Sequence, residues 1–447
     1  MLRIAAVLLL GLVMFAGWVA AQSWEAMRVL QDIEAGAGPS ALKERTPEPA
    51  RETLALTTDE GDIAADLYHP RQEVGARIVL VPGFTPQGKD DPRLVQLAHT
   101  LARARFLVLV PDLQGSRALR VRSEDAAAIG DAAALLARLE PENAPDDQNV
   151  GVAAISYAVG LAVLATLEPE GKEAIDFLVG IGGYYDTKNV VTFATTGAYR
   201  EPGSSRWQTR TPDPLAKWFF LWGNLHVLDD RADRALLEEI ARRRAADPEA
   251  PIDDLSDPLG AEGQSLLALI LNDDHERVPQ LLDDLPTDAR DAIEAHSLAE
   301  RDLSHLSGRA LLIHGRDDTM IPHTESTRLA RAIGETDLHR IDGFSHIDPH
   351  GVGLMGQWQL LRAMRDLLAW RDDGAVHSET QPREPRSCHE GLHETVADAL
   401  PVPATAGCAR PRAGRRHDRP LAGGDRGTQR VERAAARRAG TGDGRAG

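Results

Sequence analysis

Cysteine is missing from most of the chain: Cys388 and Cys408 are the only two in 447 residues, and both fall near the carboxyl end. A disulfide framework, a thiolate nucleophile and a cysteine-ligated zinc are thereby excluded from the body of the protein. Lysine is almost as scarce. Lys43, Lys89, Lys172, Lys188 and Lys217 are the whole supply, so the positive charge is nearly all arginine. Of a formal net charge of −18, the stretch from Gly374 onward contributes +4, with 13 Arg against 9 acidic residues, and the first 373 residues contribute −22. A body this acidic lacks the basic footprint that phosphate binding requires, which excludes nucleic acid as a partner. Aromatic residues are few, at 4%, and no tandem repeat is visible.

Long apolar runs are lacking too, with one exception. Residues 4–21, "IAAVLLLGLVMFAGWVAA", follow a single Arg3 and hold no charge. Such a run serves either as a cleaved signal peptide, with small residues before Gln22, or as a retained membrane anchor. Both readings place the body outside the cytoplasm, periplasmic or held at the membrane through residues 4–21.

What the chain does have is a rhythm. "ETLALTTDEGDIAADLYHP" reads as two strands flanking a turn. Short apolar strands then alternate with helical patterns: "RIVLVPG" (77–83), "FLVLVPDL" (106–113), "VGVAAIS" (150–156), "DFLVGIGGYYD" (176–186), "RALLIHGRDD" (309–318) and "LHRIDG" (338–343). Nearly continuous Val/Ile/Leu strands spaced by helices predict an α/β fold, a mostly parallel central sheet with helices on both faces. Residues 187–304 break the rhythm and read as a helical insertion, either a lid over the carboxyl edge of the sheet or a subdomain without gating. Within it "KWFFLWGNLHVL" (217–228) gathers aromatics, as an acyl-binding or membrane-facing patch or as the insertion's own core. The expected organisation is a signal or anchor at 1–22, a short helix and linker at 23–50, a core at 51–186 and 305–373, the insertion between, and a disordered Arg/Gly/Pro-rich tail at 374–447.

"VGVAAISYAVG" (150–160) places Ser156 where an apolar strand turns into a helix, with Ala154 and Ala158 two residues to either side. Small residues there allow strand and helix to approach closely. The alternative is a helix cap. A hydroxyl becomes a nucleophile only with a base in reach, an acid to orient that base, and donors for the oxyanion.

Taken with "LLIHGRDDTMIP" (311–322) and "LHRIDGFSHIDPH" (338–350), the segment resembles the α/β-hydrolase family of serine esterases and lipases, with alanines at both glycine positions of G-x-S-x-G. The resemblance implies Ser156 as nucleophile, Asp318 as acid with Asp317 as neighbour, and His346 as base, with His350 and His323 as lesser candidates. Asp186 is an alternative acid, since some members draw theirs from that strand. It further implies oxyanion donors from the Tyr157 amide and, in "VPGFTPQGKDD" (81–91), from the Phe84 amide with Thr85 in reserve. No metal or other cofactor is expected. The implied activity is cleavage of carboxylic esters, on a small-molecule or lipid-like acyl ester, through an acyl-serine. Thioesterase, acyltransferase or peptidase chemistry, or a non-catalytic binding protein, remain as alternatives. "LVGIGG" (178–183) lacks the spacing of a dinucleotide loop.

Overall fold

The computed structural model describes residues 23–140, 148–346 and 352–377. All lie in one unit of the chain, Met1–Arg383; the second unit, Glu384–Gly447, the apolar segment 4–21 and His350 lie outside the described residues. Eight strands form the sheet: β1 (Ala50–Thr58), β2 (Gly61–His69), β3 (Ala76–Val81), β4 (Phe106–Pro111), β5 (Val150–Ile155), β6 (Phe177–Ile181), β9 (Ala310–Gly315) and β10 (Asp337–Ile341). Their spatial order is β1-β2-β4-β3-β5-β6-β9-β10. β1 and β2 form the antiparallel hairpin, β2 meets β4 antiparallel, and every pairing from β4 to β10 is parallel.

The continuous apolar runs are explained by burial on both faces. Along β3, Ala76, Ile78 and Leu80 join one core, while Val79 and Val81 join the other. β4 divides in the same way, Phe106, Val108 and Val110 against Leu107 and Leu109. Helices Glu124–Arg138, Ala158–Ala165 and Thr324–Ile333 cover the first face. The helix at 23–35, Pro92–Arg103 and Leu354–His377 cover the second. Period-two alternation thus feeds two cores rather than a core and solvent.

The short helix expected within 23–50 spans 23–35, and the stretch after it is docked rather than a free linker: Ala26, Val29 and Leu42 are buried in the second core. Buried Asp32 holds the segment by accepting from Thr100 Oγ1 at 2.6 Å, from Ser40 and from Lys43, and Arg371 bonds Glu25 at 2.6 Å. The closing helix also runs to His377, past the expected end at residue 373.

Between β6 and β9 the insertion folds around its own core of Trp218, Leu221, Leu237, Ile240, Leu266 and Ile270. It also carries a short hairpin absent from the sequence reading, β7 (Ala198–Tyr199) with β8 (Gln208–Thr209). Among the described residues no helix is long and apolar enough to cross a membrane.

Candidate active site

β5 ends in the middle of the sheet, and its ladder continues one residue further, Ser156 N–H donating to the Ile181 carbonyl at 2.8 Å. Ser156 itself has φ +61, a left-handed conformation unusual for a side-chain-bearing residue. The chain then enters helix Ala158–Ala165 at once. Ala154 and Ala158 are fully buried at this bend, and Gly183 at the end of β6 lets the helix in: a Cβ there would stand 2.5 Å from Val159 Cβ. In "LVGIGG", Gly180 and Gly183 serve close packing against Val159 of the elbow helix, while Gly182, at φ +63, stands beside His346.

His346 reaches the serine from the loop after β10. Its Nε2 lies 2.7 Å from Ser156 Oγ and its Nδ1 lies 2.8 Å from Asp318 Oδ2. A carboxylate only accepts, so Nδ1 carries the hydrogen and Nε2 faces the serine hydroxyl as acceptor. Gly315 makes that approach feasible. A Cβ on it would stand 2.0 Å from the Phe344 carbonyl oxygen, so the strand end that leads to Asp318 and the loop that delivers His346 are in backbone contact.

Asp318 is fully buried. Its Oδ1 accepts the amides of Met320 (2.8 Å) and Ile321 (2.9 Å). Burial alone would push this carboxyl up, but the His346 charge and hydrogen bonds from His314 and His346 hold it well below the usual carboxylate range. His314, the histidine of "HGRDD", was not singled out in the sequence. It is completely buried, with Nε2 3.2 Å from Asp318 Oδ2 and 3.0 Å from the Ile321 carbonyl, and Nδ1 2.6 Å from Ser326 Oγ. Asp318 is thus held from both sides. The buried histidine at a fixed spacing before the acid was the signal that could have found it.

The other candidates lie elsewhere. Asp317 is exposed, accepting the Gly343 amide at 3.0 Å and facing Arg210 at 3.5 Å. Asp186 caps helix Thr187–Thr196 by accepting from the Lys188 amide at 2.9 Å. His323 pairs with Glu201 at 3.4 Å.

The loop after β3 passes beside the serine: a Cβ on Gly83 would lie 3.4 Å from Ser156 Cβ. Thr85 is corrected as a reserve donor, because its amide is engaged by the Ser116 carbonyl at 3.2 Å. The amides of Phe84 and Tyr157 donate to no other group among the described residues. Fully buried Ser116 also donates its hydroxyl to the Gly83 carbonyl at 2.8 Å. In a trans peptide C=O and N–H point opposite ways, so holding the Gly83 carbonyl on Ser116 turns the Phe84 N–H away from Ser116. The Phe84 ring stacks on Tyr157 with centroids 3.8 Å apart.

A cavity of about 1040 Å³ opens over these groups, lined by Ser156, His346, Phe84 and Tyr157 and by Phe219 and Phe220 of the insertion. Trp218 and Leu221 enter the insertion's core, Phe219 lines the cavity, and Phe220 both lines the cavity and packs against that core. Among the described residues Arg93 is the cation lining it, and Asp91 pairs with it at 2.9 Å. No group of His, Cys, Asp or Glu among them is placed to hold a metal ion.

No family model and no curated protein matches the chain. Among solved structures it is similar to an acylaminoacyl peptidase of Pyrococcus horikoshii, at 13% identity and TM-score 0.42, over 73% of this chain and 42% of that one. The α/β hydrolase GrgF from Penicillium sp. sh18 is similar at 15% identity and TM-score 0.41, over 72% and 99%. A Pyrobaculum calidifontis esterase is similar at 16% identity and TM-score 0.40, over 80% and 92%. The chain spans less than half the length of the peptidase. With its mostly parallel eight-stranded sheet, helices on both faces and a left-handed serine between a central strand and its helix, the chain has the fold of an α/β-hydrolase.

Proposed function

We propose that the protein is a serine hydrolase of carboxylic esters in which Ser156 is the nucleophile, His346 the general base and Asp318 the orienting acid. The observation that carries this reading is the unbroken chain of contacts from Ser156 Oγ to His346 Nε2 and from Nδ1 to Asp318, with the serine in a left-handed elbow. His346 takes the Ser156 proton as Oγ bonds to the acyl carbon. Nε2–H then protonates the departing alkoxide as the C–O bond breaks, and water repeats the sequence to release the acid. The oxyanion would face the free amides of Phe84 and Tyr157. A cavity whose lining cation is already paired suits a neutral ester rather than a polyanionic thioester. The apolar segment 4–21 supports a working place outside the cytoplasm, the protein exported or anchored there.

The test is covalent labelling with a fluorophosphonate together with turnover of p-nitrophenyl esters. Ser156 becomes labelled, and Ser156→Ala and His346→Ala each lower turnover at least about a hundredfold. Asp318→Asn causes a large loss while Asp186→Asn, at a helix cap, causes little. A wild-type protein that neither labels nor turns over any ester is instead a binding protein on a catalytic fold.

A further inference from the structure

The loop that carries the acid, between β9 and helix Thr324–Ile333, is held in part by its own carboxylate, since Asp318 Oδ1 accepts the Met320 and Ile321 amides. A second set of bonds comes from the insertion. Arg210, directly after β8, donates through Nη1 to the Arg316 carbonyl and, at 3.5 Å, to the Asp318 carbonyl. Its Nη2 stands 3.5 Å from Asp317 Oδ1, and Asp317 Oδ2 accepts the Gly343 amide of the loop that delivers His346. Three residues after Arg210, the Asp213 amide donates to the Thr319 carbonyl at 2.8 Å. Residues 316–319 thus each meet the insertion.

Arg210 is itself fixed. Its amide donates to the Gly197 carbonyl at 2.9 Å, and a Cβ on Gly197 would stand 2.2 Å from the Arg210 carbonyl oxygen. The hairpin β7–β8 is in turn seated on helix Thr324–Ile333. Arg328 donates to the Arg200 carbonyl at 3.0 Å, Arg331 to the Pro202 carbonyl at 2.8 Å, and His323 pairs with Glu201 at 3.4 Å. The ion pair with exposed Asp317 alone contributes little. A guanidinium is a rigid fork of donors, and one that bonds the carbonyls on either side of Asp317 sets the path of the backbone between them. We propose that Arg210 is a positioning residue for the triad, acting through Asp318: it fixes the backbone from which this carboxylate orients His346. The insertion then belongs to the catalytic frame for substrates of every size. This role rests on the reading that Ser156, His346 and Asp318 form the triad. Arg210 is not among the residues that line the cavity, so its loss acts on the chemical step rather than on binding.

Turnover of p-nitrophenyl acetate and octanoate by the full chain decides it, with kcat counted per Ser156 that a fluorophosphonate labels at completion. Arg210→Ala lowers kcat for both esters by the same factor, about ten- to a hundredfold, with KM changed less than about threefold. Ethylguanidinium chloride added to that variant restores part of the lost kcat, and tetramethylammonium chloride at equal concentration does not. Arg210→Lys keeps the charge without the fork, loses less kcat than the alanine variant at unchanged KM, and serves if the alanine variant melts early. Arg331→Ala, which removes the bond to the Pro202 carbonyl on the same hairpin, leaves kcat within about twofold. Unchanged kcat in Arg210→Ala overturns the assignment while wild-type Ser156 still labels. So does a loss confined to octanoate or carried by KM, and so does a loss that neither ethylguanidinium nor Arg210→Lys lessens. A wild type that neither labels nor turns over either ester overturns the triad reading, and this inference with it.

Discussion

Ser116 belongs to no motif that the sequence displays, yet its hydroxyl and carbonyl together hold the peptides on either side of Phe84. Removing the hydroxyl frees the Gly83 carbonyl, and with it the direction of the Phe84 N–H. Ser116→Ala therefore lowers kcat about ten- to a hundredfold with KM changed less than about threefold, since a donor aimed at the oxyanion matters only in the transition state. Affinity for a boronic-acid transition-state analogue falls by the same factor. A change confined to KM, or a lower melting temperature with intact kcat, would assign Ser116 to structure alone. The contrast with Ser156 shows what a sequence carries at this scale. Ser156, Asp318 and His346 stand in recognisable strand-end contexts, whereas Ser116 and His314 act by contacts formed only once distant strands are adjacent. Thr85 shows the converse: its place in the loop suggested a donor, and only the fold shows its amide facing Ser116.

Among the elements, strands were legible because burial on both faces writes itself as continuous Val/Ile/Leu runs. The hairpin β7–β8, two residues to a strand, is too short to leave a period. In the amino-terminal segment the helix at 23–35 was legible, but the docking of the stretch after it was not, because its Gly and Pro outweigh the few apolar residues that join the second core beside Pro92–Arg103 and the closing helix. Helix Glu124–Arg138 carries a different kind of hidden cost. Asp125 in its first turn is buried, and burial pushes its carboxyl up to about 6, despite the opposing charge of Arg122. A raised native value means that the folded protein holds this proton more tightly than the unfolded chain does. Stability from this group is lost as pH rises from the unfolded value near 4 through about 6. Asp125→Asn removes the ionisation without changing shape, so it raises the melting temperature at pH 8 and gives little gain near pH 4. Thermal melts of the two proteins across that range check it; an equal shift at both ends would mean that charge is not the cause.

Over the whole molecule, the balance of −22 in the first 373 residues leaves carboxylates in excess of cations, and several of the cations serve local pairs. Arg51 bonds both Asp66 and Asp90, Lys89 bonds the same two carboxylates, and Arg371 bonds Glu25 and Asp372. What remains is net repulsion among exposed carboxylates, which added salt screens once the Debye length drops from about 30 Å at 0.01 M to about 4–5 Å at 0.5 M. Exposed ion pairs weaken too, but each contributes only about 0–1 kcal/mol, and the partly buried pairs are screened least. The melting temperature therefore rises by several degrees (about 3–8 °C) between 0.01 and 0.5 M NaCl. Turnover of a neutral ester should not follow. Among the described residues the lining cation, Arg93, is paired, and no field steers an uncharged substrate, so KM for a short p-nitrophenyl ester stays within about twofold over the same range. Scanning calorimetry and steady-state rates in one salt series separate the two quantities. A melting temperature that falls with salt would mean that the ion pairs outweigh the repulsion, and a steep KM would mean that an unpaired charge meets the substrate.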